Sequence, residues 1–149
     1  MKKSLLFTFV LICLLALSGC KNHEIYQYAG GNEYFEIKDC YLEIYDDTVN
    51  LNCGSITLKE TEQFENLVSC TINYYLAFDV GSQFLLGSHT IEDETNGIKL
   101  DGFKIGNHAT INGGSVHLFK NPESKLIFEI TTSDVNGIEN VYKVEMKLQ

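Results

Sequence analysis

The chain is poor in several residue types, and each shortage excludes a class of fold or function. It has no arginine, and its 11 lysines face 20 acidic residues, which leaves a formal net charge of −9. This balance argues against nucleic acid as a partner and against a basic face that binds membranes. Only one proline and no low-complexity run occur, so disorder is not expected beyond a tether. The acidity keeps a protein soluble, and it also suits a basic partner or divalent cations.

Long apolar runs are scarce too, and the one that stands out lies at the N-terminus. Residues 1–3 supply a basic start, and an apolar run over 4–17 follows. Small residues come next, which completes the layout of a secretory signal. The run is too short to span a bilayer, so a signal peptide is predicted rather than a membrane helix.

The end of this signal, residues 17–20, reads Leu-Ser-Gly-Cys and resembles a bacterial lipoprotein lipobox. The resemblance implies that 1–19 is removed as a signal peptide and that the Cys20 thiol carries lipid. Lipoproteins of this kind carry more than one acyl chain, and two or more chains anchor a protein durably. Lys21 follows the cysteine where aspartate would signal retention, which favours the outer membrane in a Gram-negative cell. We therefore expect a cell-envelope protein that is held to the membrane through Cys20.

Turn signals built from Gly, Asn and Asp punctuate the rest of the chain at short intervals. Between them lie runs of Tyr, Phe, Ile, Val and Thr with a period of two, which is typical of strands. The predicted strands are 34–45, 48–53, 55–59, 68–79, 83–91, 98–105, 108–111, 114–119, 125–132 and 140–148. One short helical turn is predicted within 61–68.

This pattern predicts a lipidated tether over 20–32 and a single all-β domain over 33–149. An antiparallel β-sandwich is the expected arrangement, and a closed or partly open β-barrel is the alternative.

One predicted hairpin has a register that its side chains determine. When the turn is placed at 46–47, apolar pairs share one face and polar or tyrosyl pairs share the other. The apolar pairs are Ile44 with Val49, Leu42 with Leu51, and Cys40 with Cys53. The other pairs are Tyr45 with Thr48, Glu43 with Asn50, and Tyr41 with Asn52. A slip by one residue would destroy this sorting, so the register is well determined.

The cysteines beyond Cys20 are odd in number for an oxidising compartment. The hairpin register makes Cys40 and Cys53 neighbours, with Cα atoms about 4.5 Å apart, at the short end of disulfide geometry. A disulfide and a pair of buried thiols both fit this position. Cys70 is predicted to be a buried core thiol. Because no Cys-x-x-Cys spacing occurs, neither a zinc site nor another cofactor is expected.

The chain lacks the motifs of common catalytic sites. No Gly-x-Ser-x-Gly elbow occurs, and the four histidines form neither His-x-His nor His-Glu-x-x-His spacing. The acidic turns at 92–97 and 134–137 offer oxygen ligands for calcium, but a solvated hairpin tip is the better match. We therefore expect no enzyme activity and no catalytic residue.

A tyrosine-bearing surface is the best candidate for ligand binding. Tyr41 and Tyr45 share the polar face of the hairpin with Glu43, Asn50 and Asn52. Sugars prefer flat aromatic surfaces that are rimmed by amides and carboxylates, although this chain has no tryptophan. The competing interpretation is that this face packs against a second layer or against the tether.

The C-terminal half contains a succession of turns and strands that can be compared with a known family. Residues 87–91 read Gly-Ser-His-Thr-Ile, 112–118 read Asn-Gly-Gly-Ser-Val-His-Leu, and 126–130 read Leu-Ile-Phe-Glu-Ile, with a Gly-containing hairpin at 134–137. This order resembles small Bacteroidales lipoproteins, from which the chain departs by having His89 where tyrosine is usual. The resemblance implies an all-β envelope protein and supplies no active-site residue.

These patterns favour a non-enzymatic envelope lipoprotein that binds a glycan or a protein. The alternative hypothesis is an acidic inhibitor or immunity-type lipoprotein that blocks a basic hydrolase, with the acidic loop at 92–94 as its plug. The salt dependence of binding distinguishes the two hypotheses. Salt screens the surface charges that an acidic inhibitor would use, but it hardly affects the stacking of a sugar on a tyrosine ring.

Overall fold

The computed structural model describes residues 23–45, 48–78, 81–93, 97–112 and 124–149, the side chains of 107–112 excepted. Within these ranges the chain forms strands and one short 3₁₀ turn, Glu62–Phe64, which lies inside the predicted 61–68. The strands are β1 His23–Gly31, β2 Phe35–Tyr45, β3 Thr48–Leu58, β4 Leu67–Ala77, β5 Gln83–Glu92, β6 Lys104–Asn112, β7 Lys125–Asp134 and β8 Glu139–Leu148.

All of these strands belong to one antiparallel sheet, in the order β5-β4-β7-β8-β1-β2-β3-β6. The predicted all-β, antiparallel class is confirmed. Because hydrogen bonding continues without a break from β5 to β6, the strands form one curled sheet instead of two facing sheets. The two edge strands approach each other, since His89 of β5 stacks on Phe103, just before β6, with ring centroids 5.6 Å apart. The partly open barrel therefore describes the arrangement better than the sandwich.

The concave face of the curled sheet holds the core. Strands β2 and β3 alternate between buried and half-buried residues, as a sheet with one wet face requires. Apart from Leu100, which precedes β6, the largest fully buried side chains come from β2, β3, β4 and β7, and include Phe35, Ile37, Tyr74 and Phe128. This core spans strands that lie far apart in the sequence, so it fixes the curl.

The predicted register of the β2–β3 hairpin is confirmed. Tyr45 pairs with Thr48, Glu43 with Asn50, and Tyr41 with Asn52, and the same register continues to Phe35 with Leu58. The turn residues 46–47 lie outside the described ranges.

Strand β1 corrects the expected boundary between tether and domain. Residues 20–32 were expected to form a tether, but His23–Gly31 lies inside the sheet between β2 and β8. Because Gly30 has no side chain, β1 can lie this close to β8. A Cβ atom there would collide with the Glu145 carbonyl oxygen and lie 2.9 Å from Met146 Cα. The domain therefore includes β1.

Two further strand predictions are corrected by long-range packing. Residues 48–53 and 55–59 form the single strand β3, because Gly54 lies against the Lys38 carbonyl oxygen instead of forming a turn. Residues 97–103 are not a strand. They close one end of the sheet, where Ile98 N donates to Leu67 O at 2.9 Å, and Ile98 and Leu100 join the core. The predicted strand at 114–119 lies outside the described residues.

The sheet has two ends that differ in what connects them. At the first, here called the terminal end, β1 begins, β8 ends, and the β2–β3 hairpin turns. At the second, here called the loop end, lie the connections 32–34, 59–66, 93–103 and 135–138. Neighbouring connections there hold one another, since Lys59 N donates to Tyr34 O and Val135 N donates to Asn66 O.

Candidate functional site

The predicted ligand-binding residues lie together on the outer face of the β2–β3 hairpin. Tyr41, Glu43, Tyr45, Asn50 and Asn52 are all half-buried and alternate with buried neighbours. Strands β2 and β3 bring them together because the confirmed register points every second residue outward.

Strand β1 widens this surface by one more strand. Its exposed residues His23, Ile25 and Gln27 are register partners of Tyr45, Glu43 and Tyr41. We call this surface the tyrosine face, which consists of His23, Ile25, Gln27, Tyr41, Glu43, Tyr45, Asn50 and Asn52. The β1 residues were not predicted to belong to this surface, because residues 20–32 were expected to form a tether.

At one edge of the tyrosine face, His23 and Tyr45 form a stacked pair. Their ring centroids are 4.3 Å apart and the ring planes are inclined by 9°. The Tyr45 hydroxyl lies 3.4 Å from Glu43 Oε2 and donates to it. These contacts hold an imidazole, a phenol and a carboxylate in a fixed order on the surface.

At the other edge, Asn52 fixes the Tyr41 ring. The Asn52 side-chain amide donates to the Tyr41 hydroxyl oxygen at 2.6 Å. Tyr41 and Tyr45 are four residues apart on one strand, which separates them by about 13 Å. Glu43 lies between them, and Ile25 beside it is 58% exposed. This arrangement offers two aromatic rings with a hydrogen-bond acceptor between them.

A disulfide joins the two strands behind this surface. Cys40 and Cys53 are bonded on the buried side of the hairpin, with Cα atoms 3.9 Å apart. They lie next to the Tyr41–Asn52 pair in the sequence, so the covalent bond holds the strands at the position where that pair forms. Cys70 is buried and unbonded, and burial raises the pKa of its thiol to about 12.

Tyr26 and Tyr28, which the sequence offered as residues that dock on the domain, lie on the concave side of β1. The Tyr26 hydroxyl donates to Glu24 Oε2 at 2.8 Å, and this hydrogen bond is the main reason why the pKa of Tyr26 is raised. Tyr28 is buried, and its burial raises the pKa of its hydroxyl. These tyrosines pack against the core, so they support β1 and do not belong to the tyrosine face.

A groove of about 650 Å³ opens at the loop end, a size that suits small ligands. Phe64, Ile98 and Leu100 supply buried apolar walls, and Glu65, Lys99 and Asp101 supply charged groups. Asp101 already accepts a hydrogen bond from Leu58 N at 2.9 Å. The connections that build this groove were not predicted as a site, because they meet only after the sheet has curled.

The loop end is also where acidic residues collect. Its described connections carry Glu33, Glu60, Glu62, Glu65, Asp93 and Asp101, against Lys59 and Lys99. Of the predicted acidic plug at 92–94, Glu92 ends β5 and Asp93 N donates to Val68 O, while residue 94 lies outside the described ranges.

The histidines are spread across the fold. His23 lies in β1, His89 in β5 and His108 in β6, and His117 lies outside the described residues. Among the described side chains, no group of three or more His, Cys, Asp or Glu is placed to hold a metal ion. The Asp134 carboxylate of the 134–137 turn instead accepts hydrogen bonds from the backbone amides of Asn136 and Ile138.

In the part of the chain that the structure describes, no helix has the length and apolar character needed to cross a membrane. Comparison of the chain with protein-family models, with curated proteins and with solved structures found no match. The functional argument therefore depends on the surface geometry and on the N-terminal sequence.

Proposed function

We propose that the chain is a lipid-anchored protein of the cell envelope that binds a glycan through the tyrosine face and catalyses no reaction. The observation that carries this proposal is the placement of Tyr41, Tyr45 and Glu43 on one outward surface, with the rings held by Asn52 and His23. Aromatic rings bury apolar area while their hydroxyl groups stay wet, which suits the mixed surface of a sugar. Asn50, Asn52 and Gln27 add amides that donate and accept hydrogen bonds.

Rigidity supports the same proposal. A surface whose side chains are already ordered loses little conformational entropy when a ligand binds. The stacked His23–Tyr45 pair, the Asn52–Tyr41 hydrogen bond and the Cys40–Cys53 disulfide all restrict this face before a ligand arrives. The location is proposed from the lipobox-like residues 17–20, which imply lipid on Cys20.

The experiment is a glycan-array measurement on a soluble form that comprises residues 21–149 and therefore contains β1 to β8. We expect reproducible binding to one glycan class, with affinity reduced about tenfold by Tyr41→Ala or Tyr45→Ala, since one aromatic contact contributes roughly 1–1.5 kcal/mol. Tyr75→Ala is the matched control, because Tyr75 is a half-buried tyrosine on the outer face of β4. An array without binding by the folded protein contradicts the proposal, as does an equal loss in the control.

A second candidate function is inhibition of a basic hydrolase. The acidic connections of the loop end favour it, since complementary charge steers a basic protein to such a surface. Titration against lysozyme, a basic hydrolase, tests it. Inhibition should weaken steeply with salt and with Glu62→Gln plus Glu65→Gln, and should not change with Glu145→Gln near the terminal end. Inhibition that is absent at low salt contradicts this candidate.

A further inference from the structure

We propose that the groove at the loop end is a second binding site, which takes a small organic cation with an apolar body, such as an arylalkyl amine. The groove has a volume of about 650 Å³, within the range of small-ligand sites. It lies apart from the tyrosine face, so the proposal depends neither on a glycan nor on lipid at Cys20.

Backbone hydrogen bonds fix the walls of this groove. Ile98 N donates to Leu67 O at 2.9 Å, and Val135 N donates to Asn66 O at 3.1 Å. Segments that are distant in the sequence are thereby held side by side. Asn66 has a φ of 62°, a left-handed conformation that asparagine adopts more readily than most residues. Because the walls are already ordered, a ligand that enters the groove has to order little of the protein.

The floor of the groove is apolar and continues into the core. Phe64, Ile98 and Leu100 line it, and all three belong to the core cluster. Leu58 and Val68 are half-buried and add apolar area to the walls. A ligand with an apolar body removes this area from water together with its own. The floor therefore favours an organic ligand over an inorganic ion.

The rim of the groove carries more negative than positive charge. Glu65 and Asp101 line it, against Lys99, and all three side chains are exposed. Asp101 Oδ1 accepts a hydrogen bond from Leu58 N at 2.9 Å, which holds this carboxylate in place. The connection 59–66 adds two further glutamates and one lysine, so the excess of carboxylates continues around the groove. A concave surface of this kind attracts cations, and Lys99 is the group that opposes them.

Val135 provides an apolar contact at the edge of the groove. Its side chain is 63% exposed, and the hydrogen bond to Asn66 O fixes its backbone beside the rim. An exposed apolar side chain loses contact with water when the apolar body of a ligand lies against it. Val135 can be replaced without disturbing the core, so it allows the site to be tested in a folded protein.

Titration of the full chain with three probes, followed by NMR, tests the proposal. Phenethylamine has both the charge and the apolar body, phenethyl alcohol lacks the charge, and ethylamine lacks the apolar body. We expect phenethylamine to bind several-fold more tightly than the other two and to shift the backbone amides of Gly97, Ile98 and Lys99. Equal binding of phenethylamine and phenethyl alcohol overturns the proposal, as do shifts that lie outside the groove.

Charge variants test the sign of the interaction. Glu65→Gln should weaken the binding of phenethylamine about threefold, the modest effect expected of one exposed charge pair, whereas Lys99→Gln should strengthen it. Glu145→Gln removes an exposed carboxylate on β8, away from the groove, and should leave the affinity unchanged. Binding that Lys99→Gln weakens, or that Glu145→Gln weakens as much as Glu65→Gln does, overturns the proposal.

A pair of valine variants tests the apolar contact. Val135→Ser should weaken the binding of phenethylamine and leave the melting temperature nearly unchanged, because this side chain is exposed. Val141→Ser is the matched control, since Val141 has a similar exposure of 59% but lies on β8 outside the groove. Equal losses of affinity in the two variants would show that phenethylamine does not bind in the groove.

Discussion

Two strands of the tyrosine face are joined by a covalent bond, and a hydrogen bond between side chains joins them again on the opposite face, at the neighbouring rung. The Cys40–Cys53 disulfide lies on the buried side, and the Asn52–Tyr41 hydrogen bond lies on the outer side. Both bonds hold β2 and β3 together where these strands carry the proposed binding residues. The stability of this hairpin and the geometry of its binding surface therefore depend on the same few residues.

Removal of the disulfide should destabilise the protein measurably. Cys40→Ala with Cys53→Ala releases a cross-link that spans 13 residues, and we expect the free energy of unfolding to fall by about 2–4 kcal/mol. Urea denaturation measures it, with the single variant Cys70→Ala as the control for loss of a buried sulfur. Mass spectrometry of the alkylated, unreduced protein provides a direct check, and alkylation of both Cys40 and Cys53 would refute the disulfide.

Asp134 should stabilise the β7–β8 hairpin only while it is charged. Hydrogen bonds from the amides of Ile138 and Asn136 lower the pKa of this carboxyl below its ordinary value of 3.8. Its contribution is therefore present above pH 3.8 and is lost as the pH falls through the lower, folded-state pKa. Asp134→Asn should lower the melting temperature at pH 7 and lose this effect at strongly acidic pH. A difference in melting temperature that does not depend on pH would be incompatible with this assignment.

Among the elements, β1 has the largest effect on how the molecule is built. It connects β8 to β2, and so joins the two halves of the curled sheet. Without it, both neighbours would expose unpaired edges. The tyrosine face and the short linker to Cys20 both depend on this strand.

Gly30→Ala tests whether β1 is an integral strand. The new Cβ would meet the Glu145 carbonyl oxygen and the Met146 backbone, so β1 and β8 would have to separate. We expect a loss of about 2 kcal/mol or more, against less than roughly 0.5 kcal/mol for Gln27→Ala on the exposed side of the same strand. Chemical denaturation gives both values. Equal, small effects would mean that β1 is only loosely attached.

The sequence predicted the elements whose partners are close in the chain. The β2–β3 register could be read because both strands and their side-chain sorting lie within 35–58. The role of Gly30 could not, because its contacts are with Glu145 and Met146, more than a hundred residues away. Ile98 and Leu100 have the alternation of a strand, but their backbone is held by the loop end.

The same distinction applies to the candidate site. Tyr41, Tyr45, Glu43, Asn50 and Asn52 were placed on one face from local alternation alone. The stacking of His23 on Tyr45 required knowledge that β1 pairs with β2, and the groove at the loop end required the curl of the whole sheet. Long-range pairing is the information that a pattern of period two does not contain.

As a whole, the molecule carries different features at the two ends of its sheet. The terminal end carries the start of β1, and the loop end has an acidic surface around the groove. The tyrosine face lies between them on one side. The acidic groove is therefore at the end of the sheet opposite the proposed attachment at Cys20, whereas the tyrosine face begins near it at His23.

The central claim is that this domain is anchored in the envelope through Cys20, and metabolic labelling with a palmitate analogue tests it most directly. Cells that express the full chain should show label in this protein and should retain it in the membrane fraction. Cys20→Ala should abolish both, while Cys70→Ala should leave both unchanged. A chain that carries no label and fractionates like the Cys20→Ala variant would contradict the account.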